Sequence, residues 1–227
     1  MAVTVEGTPT KASIQNAASV TWSHTAGGDG LFVGAGNRAN QATSATFNAD
    51  AMTEKWDFYD EQVNRCAGYI LVAPDAGAHN VVVTWAASLN YGWGGAVGLT
   101  GLDQTTPTRT AYTATDNDTV TVVDSVADDL VIDFMAAYEN ASTADPSQTV
   151  RVSDNNILDG NFNAGISTEV AVGANTVMSW SGATYVGIGA MALIAAAAGG
   201  GGVDTAKKRM SATHLLVPSF PMAILPD

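Results

Sequence analysis

Short stretches of apolar or alternating apolar and polar residues recur along the chain: Ser19 to Trp22, Leu31 to Ala35, Gly68 to Ala73, Asn80 to Trp85, Ala96 to Leu102, Thr119 to Val123, Leu130 to Ala136, Gln148 to Val152, Ile166 to Val172, Thr176 to Trp180 and Tyr185 to Ile194. Gly, Asn, Asp or Pro punctuates the intervals. A period of two puts successive side chains on opposite faces of a strand, and short unbroken apolar runs between turn residues fit strands buried on both faces. These stretches predict about eleven strands and an all-β fold of the β-sandwich or jelly-roll-like kind. The run AMTEKWDFYDEQVNRC, Ala51 to Cys66, is left open: its composition suits a helical turn, and Trp56, Phe58 and Asp60 suit an edge strand equally.

The strands fall into two matching sets, a weak internal repeat. Ser19-Val20-Thr21-Trp22, a Gly/Asp turn and Leu31-Phe32-Val33-Gly34 parallel Thr119-Val120-Thr121-Val122, an Ala-Asp-Asp turn and Leu130-Val131-Ile132-Asp133. Gly77 to Trp85 parallels Gly173 to Trp180, and Gly95 to Leu99 parallels Gly189 to Leu193. The parallel predicts that Trp85 matches Trp180 and Leu31 matches Leu130. A body over 1–195 is expected, with candidate halves 1–105 and 106–195. These are either two similar sheets of one sandwich or two jelly-roll-like units.

Charge divides the chain differently. Of 227 residues, 9 are Lys or Arg and 22 are Asp or Glu, a net of −13. That acidity argues against nucleic-acid binding, which needs a basic surface. The single cysteine, Cys66, excludes an internal disulfide, and no apolar run reaches the ~20 residues of a membrane helix. No secretory signal is recognisable at MAVTVEGTPT. Residues 1–203 carry six basic against twenty acidic side chains, net −14; residues 204–227 carry three against two, net +1. An Ala/Gly hinge, 196–203, separates them. Beyond it lie Lys207, Lys208 and Arg209, then Leu215, Leu216, Val217, Phe220, Met222, Ile224 and Leu225, interrupted by Pro218, Pro221 and Pro226. The prolines exclude a helix, so an extended docking tail is expected over 204–227, with those ten apolar and basic residues as its contacts.

Gly101-Leu102-Asp103-Gln104-Thr105-Thr106-Pro107, preceded by a valine-rich strand ending in Trp85 and by Gly68 to Pro74, resembles a β-sandwich module of phage virion proteins and bacterial surface proteins. Asp128-Asp129-Leu130-Val131-Ile132 is similar to another strand of that module, and the resemblance covers roughly residues 18 to 195. It implies an appended display domain without chemistry of its own. Arg209-Met210-Ser211-Ala212-Thr213, with Leu216-Val217-Pro218 and Ile224 to Asp227, resembles a short sequence of small phage proteins encoded among head and tail genes.

Candidate chemistry is sparse. His24, His79 and His214 lie far apart, so no zinc or Cys-His spacing exists with Cys66. Asp57 and Asp60 could form a glycosidase pair, although twenty acidic residues make chance proximity expected. Asp116-Asn117-Asp118 and Asp154-Asn155-Asn156 offer oxygens to calcium but read more simply as turns. Trp56, Phe58, Tyr59, Tyr91 and Trp93 could make a sugar platform; core burial is the simpler reading. The expectation is therefore a non-enzymatic structural protein of a tailed-phage virion, a capsid decoration or short head or neck fibre assembled in the host cytoplasm. No catalytic residue, metal or cofactor is expected. Its partners are other virion proteins and further copies of itself, with no nucleic acid or membrane. A glycan-binding fibre or adhesin is the alternative, with a host glycan as ligand.

Overall fold

The computed structural model describes residues 1–38, 41–59, 64–157 and 161–197. Asp60, the segment 204–227 expected to dock, and most of the expected hinge 196–203 therefore lie outside the described residues. The chain is all-β. Its first half contains β1 (Thr4–Ile14), β2 (Ala17–Ala26), β3 (Gly30–Arg38), β4 (Ala42–Phe47), β5 (Asp50–Ala51), β6 (Thr53–Tyr59), β7 (Asn64–Val72), β8 (Gly77–Leu89) and β9 (Gly92–Thr100). The second contains β10 (Thr108–Ala114), β11 (Thr119–Val122), β12 (Leu130–Tyr138), β13 (Thr143–Ala144), β14 (Thr149–Ile157), β15 (Phe162–Val170), β16 (Thr176–Ser181) and β17 (Thr184–Leu193). Each of the eleven expected stretches overlaps a strand. The undecided run forms β6 and the start of β7.

Each half carries two sheets of its own. In the first, β1-β9-β3-β7-β6 faces β2-β8-β4-β5; in the second, β10-β17-β12-β15-β14 faces β11-β16-β13. The order is the same strand for strand, apart from β5. In both halves the first strand returns to lie beside the last, the wrap of a jelly roll. One core fills each sandwich: Val20, Leu31, Val33, Phe47, Val83 and Trp85 in the first, Val122, Val131, Met135, Met178, Trp180 and Ile188 in the second. A third core joins them, with Phe32, Trp56, Ile70 and Trp93 packed against Ile132, Phe134, Ile166 and Met191. The molecule is thus four β-layers deep, with the two five-stranded sheets back to back.

That stacking explains the two kinds of hydrophobic pattern. Strands β3, β9 and β12 are buried at every position but the last, because both their faces meet another sheet. Outer strands β2 and β16 alternate buried and less buried residues. Glycines on the inner strands let aromatic rings approach the backbone. A Cβ on Gly34 would stand 2.6 Å from the ring of Phe134, and one on Gly189 2.2 Å from that of Trp56.

The ladders fix the repeat's register. Trp85 pairs with Ala42 on β4 and Trp180 with Ala144 on β13, so the tryptophans are equivalent. Leu31 is not equivalent to Leu130. Leu99 pairs with Gly30 and Leu193 with Leu130, which aligns Gly30 with Leu130 and Leu31 with Val131. A one-residue slip moves a side chain to the other face: Leu130 faces the central core, whereas Leu31 and Val131 face their sandwich interiors.

The Gly101 to Pro107 motif is the junction of the halves. Leu102 is buried in the central core, Asp103 accepts from the amides of Thr105 and Thr106, and the Gln104 amide donates to the carbonyls of Asp29 and Leu102. Ala196 N donates to Gly101 O at 2.9 Å, so the described chain ends beside this junction.

Candidate functional site

The residues considered for chemistry are dispersed. His24 is buried on β2 beside the Thr10 hydroxyl, and burial pushes its pKa down to about 4. His79 meets the Phe47 ring edge-on at 5.4 Å; His214 lies outside the described residues. Asp57 lies 3.7 Å from Arg65; burial raises its pKa, with the Glu54 carboxylate adding to the rise and Arg65 opposing it. The Cys66 thiol is fully buried and donates to Phe134 O. Asn117 caps the amide of Thr119, Asn155 accepts from the amide of Ser142, and Asp154 accepts from Lys11 and from Trp93 Nε1, tying the halves together. Among the described residues no group of three His, Cys, Asp or Glu is placed to hold a metal ion. Of the aromatic set, Trp56 and Trp93 are in the core, while Tyr59 is 42% exposed.

The two halves differ most at the outer sheet of the second. In the first half β4 runs for six residues along β8, pairing Thr46 with Val82 and Phe47 with Val81, and turns into β5. Its counterpart β13 pairs only Thr143 and Ala144 with β16. The cause is in the sequence: Pro146 has no amide hydrogen and restricts Asp145, so a strand cannot continue. Asp145 instead caps the Ser147 amide at 2.9 Å. Gln148 then takes over part of the missing strand's role. Its Oε1 accepts from Ser179 N at 2.6 Å, while Asp145 N donates to Ser179 O.

Beyond Ser179 nothing described replaces β4. Trp180 N donates to Asp118 O, and alternation along the ladder then turns Met178 and Thr176 toward β11 and Val177 away from it. Val177 aligns with Val82, whose place beside Thr46 is filled in the first half. Among the described residues no strand pairs with Val177 on that side. A groove of about 260 Å³ lies along this edge, walled by Val172, Val177, Asp145, Ser147 and Glu169. The Ser147 hydroxyl contacts both carboxylates, at 2.8 and 3.1 Å, and its one hydrogen can serve only one of them at a time.

Exposure follows the same division. Among the described residues the exposed large apolar side chains are Met1 and Tyr59 in the first half, and Val123, Val126, Val150, Val170, Val172 and Val177 in the second. Val172 is 97% exposed.

Behind the groove, Asp133 is fully buried in the second core. Its Oδ1 accepts from Ser167 N and Oγ, and its Oδ2 from Trp180 Nε1 and Gln148 Nε2. Burial pushes its pKa up to about 7 against these donors. The network holds Gln148 and hence the Asp145 turn. Sequence patterning does not reveal this site; Pro146, two residues after the end of β13, is the only signal. Comparison with family models, with curated proteins and with solved structures finds no match.

Proposed function

We propose that this chain is a structural display protein of a tailed-phage virion, a capsid decoration or short head or neck fibre, whose acidic body faces solvent and whose C-terminal tail docks on the particle or on neighbouring subunits. The observation that carries the reading is the break in composition. A body of net −14 is followed by a segment of net +1 that joins Lys207, Lys208 and Arg209 to dense apolar residues and three interrupting prolines. Such a segment offers backbone for strand addition and apolar side chains for pockets, and proline reduces the entropy lost on ordering. Phe220, Leu216 and Ile224 would each contribute roughly 1.5–3 kcal/mol if fully buried, and the basic cluster would steer and orient. The resemblance of both body and tail to phage sequences supplies the setting. The four-layer body, with its shared core, suits a rigid spacer.

The test is incorporation. Particles assembled with a chain lacking residues 203–227 should leave the protein soluble, folded and absent from purified virions, and electron cryo-microscopy of particles carrying the full chain should show it on the surface. Normal incorporation of the shortened chain would contradict the proposal.

A further inference from the structure

We infer that the open edge of β16, flanked by Val172, Val177, Asp145 and Glu169, receives an extended segment of residues 203–227 from a second copy of this chain as an added strand. The inference rests on the proposed role of the tail as docking element and names its receptor. The internal repeat supplies the control: one sequence plan is built twice, and where the first copy has β4 and the buried ring of Phe47, the second has a groove.

Three features fit the tail to that place. The first is the backbone. The edge presents the N–H and C=O of Val177, and a strand is the element that pairs such groups. The second is the side-chain pattern. Leu216, Pro218, Phe220, Met222, Ile224 and Pro226 recur at every second position, which in an extended segment puts them on one face. That face matches Val172 and Val177, which are exposed beside the groove. The third is charge. Asp145 and Glu169 share a single hydroxyl donor, and Lys207, Lys208 and Arg209 precede the apolar stretch.

The donor is a second copy because of where the chain leaves the body. Residues 195–196 run against Gly101 and Leu102, at the junction of the halves, while the groove lies on the outer sheet of the second half, the far side of its inner sheet. Donor and receptor are thus different surfaces of one molecule. Such a contact is heterologous and propagates into a ring or a filament.

The test uses two full-length variants and sedimentation of each, alone and mixed. Val177→Pro removes the edge N–H without touching the β11 ladder, so it abolishes the receptor and leaves the tail. Phe220→Asp damages the tail and leaves the receptor. The wild-type chain should self-associate with rising concentration. Each variant alone should stay monomeric, and their mixture should give a one-to-one pair and nothing larger, because only one junction can form. Should Val177→Pro fail to fold, Val172→Asp takes its place. Val177→Pro assembling like the wild type, or a wild-type chain that stays monomeric, would overturn the inference. If Phe220→Asp is lost from particles while Val177→Pro still assembles, the tail docks elsewhere, and the proposed function survives without this receptor; if both variants enter particles normally, both readings fall.

Discussion

The two sandwiches share one topology and differ in what they do with a buried position. Val33 and Asp133 are equivalent by the ladders, as are Tyr69 and Ser167. In the first sandwich the site is apolar: Val33 and Trp85 lie in its core, and among the described residues Trp85 Nε1 has no hydrogen-bond partner. In the second, the equivalent Trp180 Nε1 donates to Asp133 at 2.8 Å, and Ser167 and Gln148 complete the set. The polar core comes together with the Gln148 turn and the truncated β13, the apolar core with a complete β4. Among the described residues, one half is therefore closed and the other has an edge to offer.

The largest effect should come from what the halves share. Phe134 stacks on Trp93 across the central core, ring centroids 5.6 Å apart, and packs over Gly34. Phe134→Ala should cost about 3–5 kcal/mol, and urea unfolding followed by fluorescence should show one transition moved to lower denaturant. Two separated transitions would mean that the halves are energetically independent.

Next comes the buried carboxylate. Asp133→Ala leaves four donors facing a cavity and should cost about 3 kcal/mol or more. Val33→Asp in the first sandwich should be at least as harmful, since Tyr69 stands where Ser167 would be and an aromatic ring replaces the hydroxyl that donates to Asp133. Tolerance of Val33→Asp would show that the two cores are interchangeable.

The halves should also titrate in opposite senses. Asp133 has a folded pKa of about 7, above its unfolded value, so its contribution is full below about pH 4 and is lost as pH rises to about 7. His24 has a folded pKa of about 4, below its unfolded value; its contribution is full above about pH 6.5 and is lost as pH falls to about 4. Each is worth on the order of a few kcal/mol. Denaturant midpoints measured against pH should therefore flatten in this window for Asp133→Asn in one direction and for His24→Gln in the other. Parallel profiles for both variants and the wild type would contradict these assignments.

The smallest effect belongs to Lys11, whose ion pair with Asp154 bridges the halves while both side chains stay about one-third exposed. Lys11→Ala should cost under about 1 kcal/mol and less in high salt.

Legibility from sequence followed burial. Strands between two sheets, such as β12, announce themselves because both faces are apolar. Edge strands did not: β1 (TVEGTPTKASI) and its counterpart β10 (TRTAYTA) have no fully buried position, so neither pattern nor composition marks them. β6 stayed ambiguous because Trp56 is buried in the core while the adjacent Asp57 is buried beside Arg65. The same double burial that reveals inner strands hides their register. In Gly30-Leu31-Phe32-Val33 every residue is buried, so nothing in the alternation chooses Val131 over Leu130 as the partner of Leu31. The Asp133 network was unreadable for a different reason: its members are far apart in sequence, and only the ladders bring Ser167, Gln148 and Trp180 to one carboxylate.

Equivalent edges are closed in one sandwich and, among the described residues, open in the other, and amide hydrogen exchange at two residues tests this. In the full-length protein Val82, paired with Thr46, should exchange slowly at every concentration. Val177 should exchange fast in dilute solution and become protected as concentration rises and neighbouring copies supply a strand. Protection of Val177 equal to that of Val82 in dilute solution, or no gain at high concentration, would contradict the account.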